Sequence, residues 1–151
     1  MGTPSRQLIL DNLKSTLEGI TVAGGYKTDV VEVEKVIRDF GDVVDSRRPW
    51  IGIMPQQQTF AYEPGSSMRC VMPVLIVAHL HAATKAEVID DVDDLHDDII
   101  AALMVDETRG GHAAMTFIDS EQDDTGDPDS KASGTLEMII RVIYYRTTES
   151  S

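Results

Sequence analysis

Cysteine, clustered cations and long apolar runs are all scarce in this chain. Of 151 residues one is cysteine, which excludes an internal disulfide framework. Cys70 falls inside an alternating apolar run, where a small buried thiol is the ordinary expectation. No apolar run approaches the length of a membrane span. The N-terminus lacks the basic-then-apolar order of a signal peptide, so a cytoplasm is the expected place of synthesis and use. Lys and Arg number 13 against 26 acids, a formal net charge of -13. Phosphate recognition needs clustered Lys and Arg, so stable DNA or RNA binding is not expected. Taken alone, the acidic excess predicts solubility. Gly24-Gly25 and Gly110-Gly111 lack the spacing and the following lysine of a phosphate loop, and no Gly-x-Ser-x-Gly elbow occurs.

The strongest pattern present runs from Thr84 to Val105. Val88, Val92, Leu95, Ile99 and Leu103 recur at helical spacing, while Glu87, Asp90, Asp91, Asp93, Asp94, Asp97 and Asp98 occupy the remaining faces. Thr84-Lys85-Ala86-Glu87 matches a capping box, and Arg109-Gly110-Gly111 supplies a stop. A first helix is predicted from Pro4 to Glu18, with Leu10, Leu13, Leu17 and Ile20 as its stripe, Ile9 flanking it and Thr3 as its cap.

Strands are predicted over residues 26–36, 49–55, 69–81, 113–119 and 135–147. In the first, Val31 and Val33 alternate with Glu32 and Glu34, so one face is buried. In the third, Cys70, Met72, Val74, Ile76, Ala78 and Leu80 share one face and Val71, Leu75 and Val77 the other, while Pro73 argues for a bulge or an edge. In the last, Leu136, Met138, Ile140, Val142 and Tyr144 oppose Glu137, Ile139, Arg141, Ile143 and Tyr145. Residues 39–48 read as a loop. Residues 56–68 read as a mobile loop, an arm or a hairpin, and 120–134 as a mobile loop rich in Asp, Ser and Gly. The sum is a single domain over 1–151 of the α+β class. It is a two-layer sandwich with a mostly antiparallel sheet and both helices on one face.

Catalytic chemistry finds little support. His79 and His81 share a strand face at a spacing metal ligands use, and His96 sits among aspartates, but no third ligand has a fixed place. Asp90 with Asp94, and Asp93 with Asp97, are one turn apart on a face the pattern marks as solvated, which does not split carboxylate pKa values. The chain is therefore expected to be no enzyme.

The features that remain suit assembly. Val71, Leu75, Val77, Ile139, Ile143 and Tyr145 place apolar surface on a second sheet face that two layers leave uncovered. The alternative is a misplaced helix and a monomer that covers both faces. Gln56, Gln57, Gln58, Phe60 and Tyr62 in the first loop are further interface candidates. So are Asp123, Asp124, Asp127, Asp129 and Lys131 in the second.

The order and spacing of these elements resemble the tail terminator proteins of long-tailed bacteriophages, the minor tail protein U type. The resemblance is carried by the first helix before Gly25-Tyr26-Lys27-Thr28-Asp29-Val30, the strand Pro49-Trp50-Ile51-Gly52-Ile53, the strand running into the Thr84–Val105 helix, and the closing strand Leu136–Tyr145. It spans nearly the whole chain and involves no short diagnostic motif. Gln56–Gln58 and 120–134 have no counterpart in it. The resemblance implies a structural virion protein of the tail or neck, without cofactor. Its expected partners are itself as a homo-hexamer, the tail tube protein, the neck or connector protein and, in contractile tails, the sheath. Genomic DNA would pass through the lumen without specific binding, and no membrane is implied. Two other readings stand beside it. One is another neck or head-completion adaptor, and the other a small metal- or ligand-binding α+β domain at the His79/His81 strand end.

Overall fold

The computed structural model describes residues 4–65, 67–82, 84–124 and 133–147. Helix α1 (Ser5–Glu18) leads to strand β1 (Glu32–Glu34), two short 3-10 turns, and strands β2 (Trp50–Pro55), β3 (Thr59–Glu63) and β4 (Ser67–His81). Helix α2 (Lys85–Val105) and strands β5 (Met115–Asp124) and β6 (Ser133–Thr147) complete the chain. The sheet order is β1-β2-β4-β6-β5, with β3 also pairing β4. β1 and β2 run parallel and every other pair is antiparallel. The α+β class, the mostly antiparallel sheet and the shared helix face are as the sequence predicts.

Both helices bury their stripes against the same sheet face. Ile9, Leu13 and Leu17 from α1 join Val88, Val92, Leu95, Ile99 and Leu103 from α2 in one core with the six even-numbered side chains from Cys70 to Leu80. Leu136, Met138, Ile140, Val142 and Tyr144 complete it from β6. Each buried aliphatic side chain contributes roughly 1.5–3 kcal/mol. The α1 stripe is centred on Ile9, Leu13 and Leu17, and Leu10 is only half-buried. Thr3 lies outside the described residues. The Thr84 hydroxyl accepts from the Glu87 backbone N–H at 3.3 Å, as the capping box requires.

Several expectations need correction. Strand β1 is three residues long, and it is Val30 and Val33 that are buried while Val31 is exposed. Side chains at 30 and 33 turn inward because the chain is extended only from Glu32 onward. Of the loop, arm and hairpin readings of 56–68, the hairpin is the one that forms, with Thr59–Glu63 laddered on Ser67–Val71. The described residues of 120–134 are all strand: β5 continues to Asp124 and β6 begins at Ser133, paired from Asp124↔Thr135 onward. Backbone hydrogen bonding along β6 overrides the polar composition there. A bulge at Asp119, between Ile118 and Ser120, resets the β5 register.

Pro73 lies in neither a bulge nor an edge strand, since it pairs Arg141 within the unbroken β4–β6 ladder. On its other side β4 changes partner, from β2 (ending at Val74) to β3 (beginning at Val71). The Pro73 carbonyl accepts from Gln56 N at 2.8 Å in that gap. The missing N–H therefore faces the β2–β3 link, where no ladder needs it.

Candidate assembly surface

The odd-numbered side chains of β4 and β6 point away from the helices. In cross-strand register they form the rows Val71–Ile143–Met115, Pro73–Arg141–Phe117 and Met54–Leu75–Ile139–Ser120. Among the described residues no helix covers these rows. Val71, Leu75 and Ile139 are half-buried, and Met54, Met115 and Tyr145 are 39%, 47% and 48% exposed. One charge sits in the middle, Arg141, paired with Asp119 at 3.3 Å. Met54, Met115 and Phe117 belong to this face and were not among the sequence candidates. Their parity relative to β4 and β6 depends on pairing that the sequence alone does not state.

Two residues expected on open surface are buried. Val77 is 3% and Ile143 6% exposed. Val77 pairs Gly52, over which the Trp50 indole is laid, and Ile143 is flanked in register by Val71 and Met115.

One corner of the face is covered, by residues 35–50. The Trp50 ring stacks on His79 at 5.4 Å, Phe40 meets His79 edge-on at 5.4 Å, and the Arg48 guanidinium lies over Phe40. The Arg47 guanidinium donates to Glu32 and Glu34, and the Trp50 indole donates to Glu34 at 2.9 Å. The hydrogen bond from Arg38 and then that from Trp50 push the Glu34 carboxyl down to about 2.

His79 belongs to this corner and faces no solvent. Its Nε2 bonds the Arg38 carbonyl at 2.7 Å and its Nδ1 the Thr135 hydroxyl at 3.0 Å, so both nitrogens are engaged. His81 is exposed, and His96 faces Glu121 of β5 at 3.9 Å. Among the described residues no group of three or more His, Cys, Asp or Glu converges on a metal position. Burial lowers the His79 pKa below its ordinary 6.5. Above 6.5 the ring is neutral folded or unfolded. As pH falls, the unfolded chain takes up a proton that the folded chain refuses, so stability is lost until the folded pKa is passed. Proton NMR is expected to show the His79 ring titrating below 6.5, and a value at or above 6.5 contradicts the burial argument.

The remaining candidates divide between two places. Gln56 and Gln57 are exposed, and Gln58 accepts from the Tyr144 hydroxyl at 2.7 Å. Phe60 and Tyr62, 53% and 79% exposed, pair Cys70 and Met68 and so point to the helix side of the sheet. They lie on the opposite face from Val71 and Leu75. Asp123 is exposed, Asp124 ends β5, and Asp127, Asp129 and Lys131 lie outside the described residues. A cleft of about 520 Å³ opens beside the hairpin, lined by Pro4, Ser5, Arg6, Gln58, Phe60, Tyr144 and Arg146.

The acidic face of α2 is not uniformly solvated. Asp98 is 4% exposed and accepts from Lys27 N, Thr28 N and the Thr28 hydroxyl at 2.5–3.1 Å. The Lys27 ammonium pairs Asp97 at 2.9 Å and Asp94 at 3.9 Å. Arg109, read as part of a helix stop, is fully buried and donates to the Leu103 and Asp106 carbonyls that α2 leaves free at its end.

No helix among the described residues is long and apolar enough to cross a membrane. No family model matches the chain, and no curated protein matches it. Among solved structures it is similar to a chain of the "Virion of native gene transfer agent (GTA) particle", at 9% identity and a TM-score of 0.49, over 91% of this chain and 92% of that one. A likeness at that level carries no argument about function.

Proposed function

We propose that this chain is a structural, non-catalytic virion subunit, one copy of a hexameric ring that caps a phage tail tube. The ring ends tube polymerisation and joins the tail to the head or neck. The observation that supports this reading most is the bare reverse face of the sheet. Apolar rows from Met54 to Met115 lie where no element among the described residues covers them. Surface of this kind is ordinarily completed by a partner. A ring of identical copies repeats one heterologous contact until it closes. The partners are then sister copies, the tube protein and the neck. With -13 formal charges per copy, an acidic lumen would let DNA slide without sticking.

Electron microscopy and mass determination of the purified protein test the reading. Closed rings of six copies are expected. A monomer at every soluble concentration, with or without tube protein, would overturn it. A complex with a twelve-fold partner would favour the neck adaptor.

A further inference from the structure

Arginines and acids outside any ion pair among the described residues stand near opposite ends of strand β4. Strand β4 has 15 residues and spans about 50 Å. At its first end stands the β3–β4 hairpin, and at its last end α2 begins, four residues past His81. Six cations, Lys14, Lys27, Lys35, Arg38, Arg47 and Arg141, are in ion pairs within the chain. Arg6, Arg69 and Arg146 are in none among the described residues. All three lie at the hairpin end. Arg6 and Arg146 line the cleft with Phe60, and Arg69 pairs Tyr145 on the reverse face. In a chain with twice as many acids as bases, Arg6 and Arg146 stand without ion-pair partners on the same side of the sheet as the exposed Phe60 and Tyr62, with Arg69 on the reverse face and the exposed Glu63 at the hairpin tip, a surface that an acidic partner would complete.

The other end is acidic in the same unbalanced way. Glu87, Asp90, Asp91 and Asp93, on the first turns of α2, are in no ion pair among the described residues. Glu87, Asp90 and Asp93 are exposed. Partial burial, and then the crowding carboxylates of Glu87, Asp94 and Asp90, push the Asp91 carboxyl up. A cation brought to this helix face relieves that repulsion. Beside Asp91 lies a cleft of about 260 Å³ with apolar walls from Pro49, Leu80 and Leu95. It is roomy enough to admit an aromatic side chain.

We propose that the hairpin end of one copy docks on the start of α2 in the next copy, Tyr62 entering the cleft beside Asp91 and Arg6 and Arg146 meeting Asp90 and Asp93. The two surfaces lie at opposite ends of the molecule, so the contact is head to tail. A two-fold contact of either end with itself would set like charge against like, whereas a head-to-tail contact sets basic against acidic and repeats into a ring or a filament. Exposed aromatics that enter a pocket inside a charged rim are the usual anchors of such contacts. The inference rests on the ring reading above and supplies that ring's subunit contact. The open sheet face then remains free for the tube or the neck.

Two exposed charge-reversal variants test this by sedimentation velocity in low salt. The head variant carries Arg6→Glu and Arg146→Glu, and the tail variant Asp90→Lys and Asp93→Lys. Wild type is expected to assemble, and more weakly as salt screens the contact. Each variant alone is expected to lose at least about tenfold in self-association. An equimolar mixture is expected to recover it, because a head variant and a tail variant offer one native contact and one swapped contact in alternation. Far-ultraviolet circular dichroism keeps loss of fold apart from loss of contact. Wild type that stays monomeric, variants that assemble like wild type, or a mixture that stays apart overturns the inference. Rings of six that ignore the reversals defeat this contact and leave the ring reading standing. Assemblies that obey the reversals without closing at six do the opposite.

Discussion

Replacing Gly52 with alanine is expected to be the most damaging single methyl addition in the sheet. Gly52 sits mid-strand in β2, between Glu34 of β1 and Val77 of β4. A Cβ there would fall on the Val36 carbonyl oxygen and 2.5 Å from Trp50 Cη2. The first obstacle is backbone, and the second is a fully buried ring held by its stack on His79 and its hydrogen bond to Glu34. Neither yields cheaply, so relief means displacing the corner that covers this end of the sheet. Overpacking of this kind costs about 3 kcal/mol, which lowers the melting temperature of a domain this size by roughly 10 °C. Gly41→Ala, where an added Cβ meets nothing within 4 Å, is the control. Thermal unfolding by circular dichroism reads both. If Gly52→Ala melts with wild type, the indole does not lie where described.

Asp98→Ala is the second large effect. The carboxylate is buried and receives two backbone N–H groups and one hydroxyl from Lys27 and Thr28. Those donors tie the segment after α1 to the middle of α2. Truncation leaves the Lys27 and Thr28 amides without their acceptor in a half-enclosed site. Hydrogen bonds to a charged group contribute about 1.5–3 kcal/mol, and stranding the donors costs about as much as losing the bonds. The expected loss is about 3 kcal/mol in urea unfolding. Asp93→Ala, on the exposed face of the same helix, is expected to change stability by less than about 0.5 kcal/mol. Equal losses at the two positions would mean that Asp98 is as solvated as its neighbours.

Asp98 also illustrates where reading along a chain stops. Helical periodicity placed it with six other acids on the polar side of α2, and nothing local separates it from Asp97. The difference is made by residues 27 and 28, seventy positions earlier, whose amides turn toward one carboxylate and whose lysine turns toward the next. His79 is similar. From its strand it looks like half of a metal pair, whereas the residue that fixes its role is Trp50, across the β2–β4 ladder. Charge distribution is equally hidden: Arg6 and Arg146 lie near opposite ends of the sequence and line one cleft beside the hairpin, while Arg69 stands at the same end of β4 on the other face of the sheet.

The sequence by itself determined the two helices, the long alternating strands β4 and β6, the shared helix face and the α+β class. These follow from side-chain periods of 3.6 and 2, which are local properties of the backbone. Tertiary structure alone decided the partner change at Pro73, which of the loop, arm and hairpin readings holds at 56–68, the extension of β5 past Asp119 and the burial of Val77, His79 and Asp98. Each depends on a neighbour distant along the chain whose hydrogen bonds or rings outweigh local preference, and no window of sequence contains both members of such a pair.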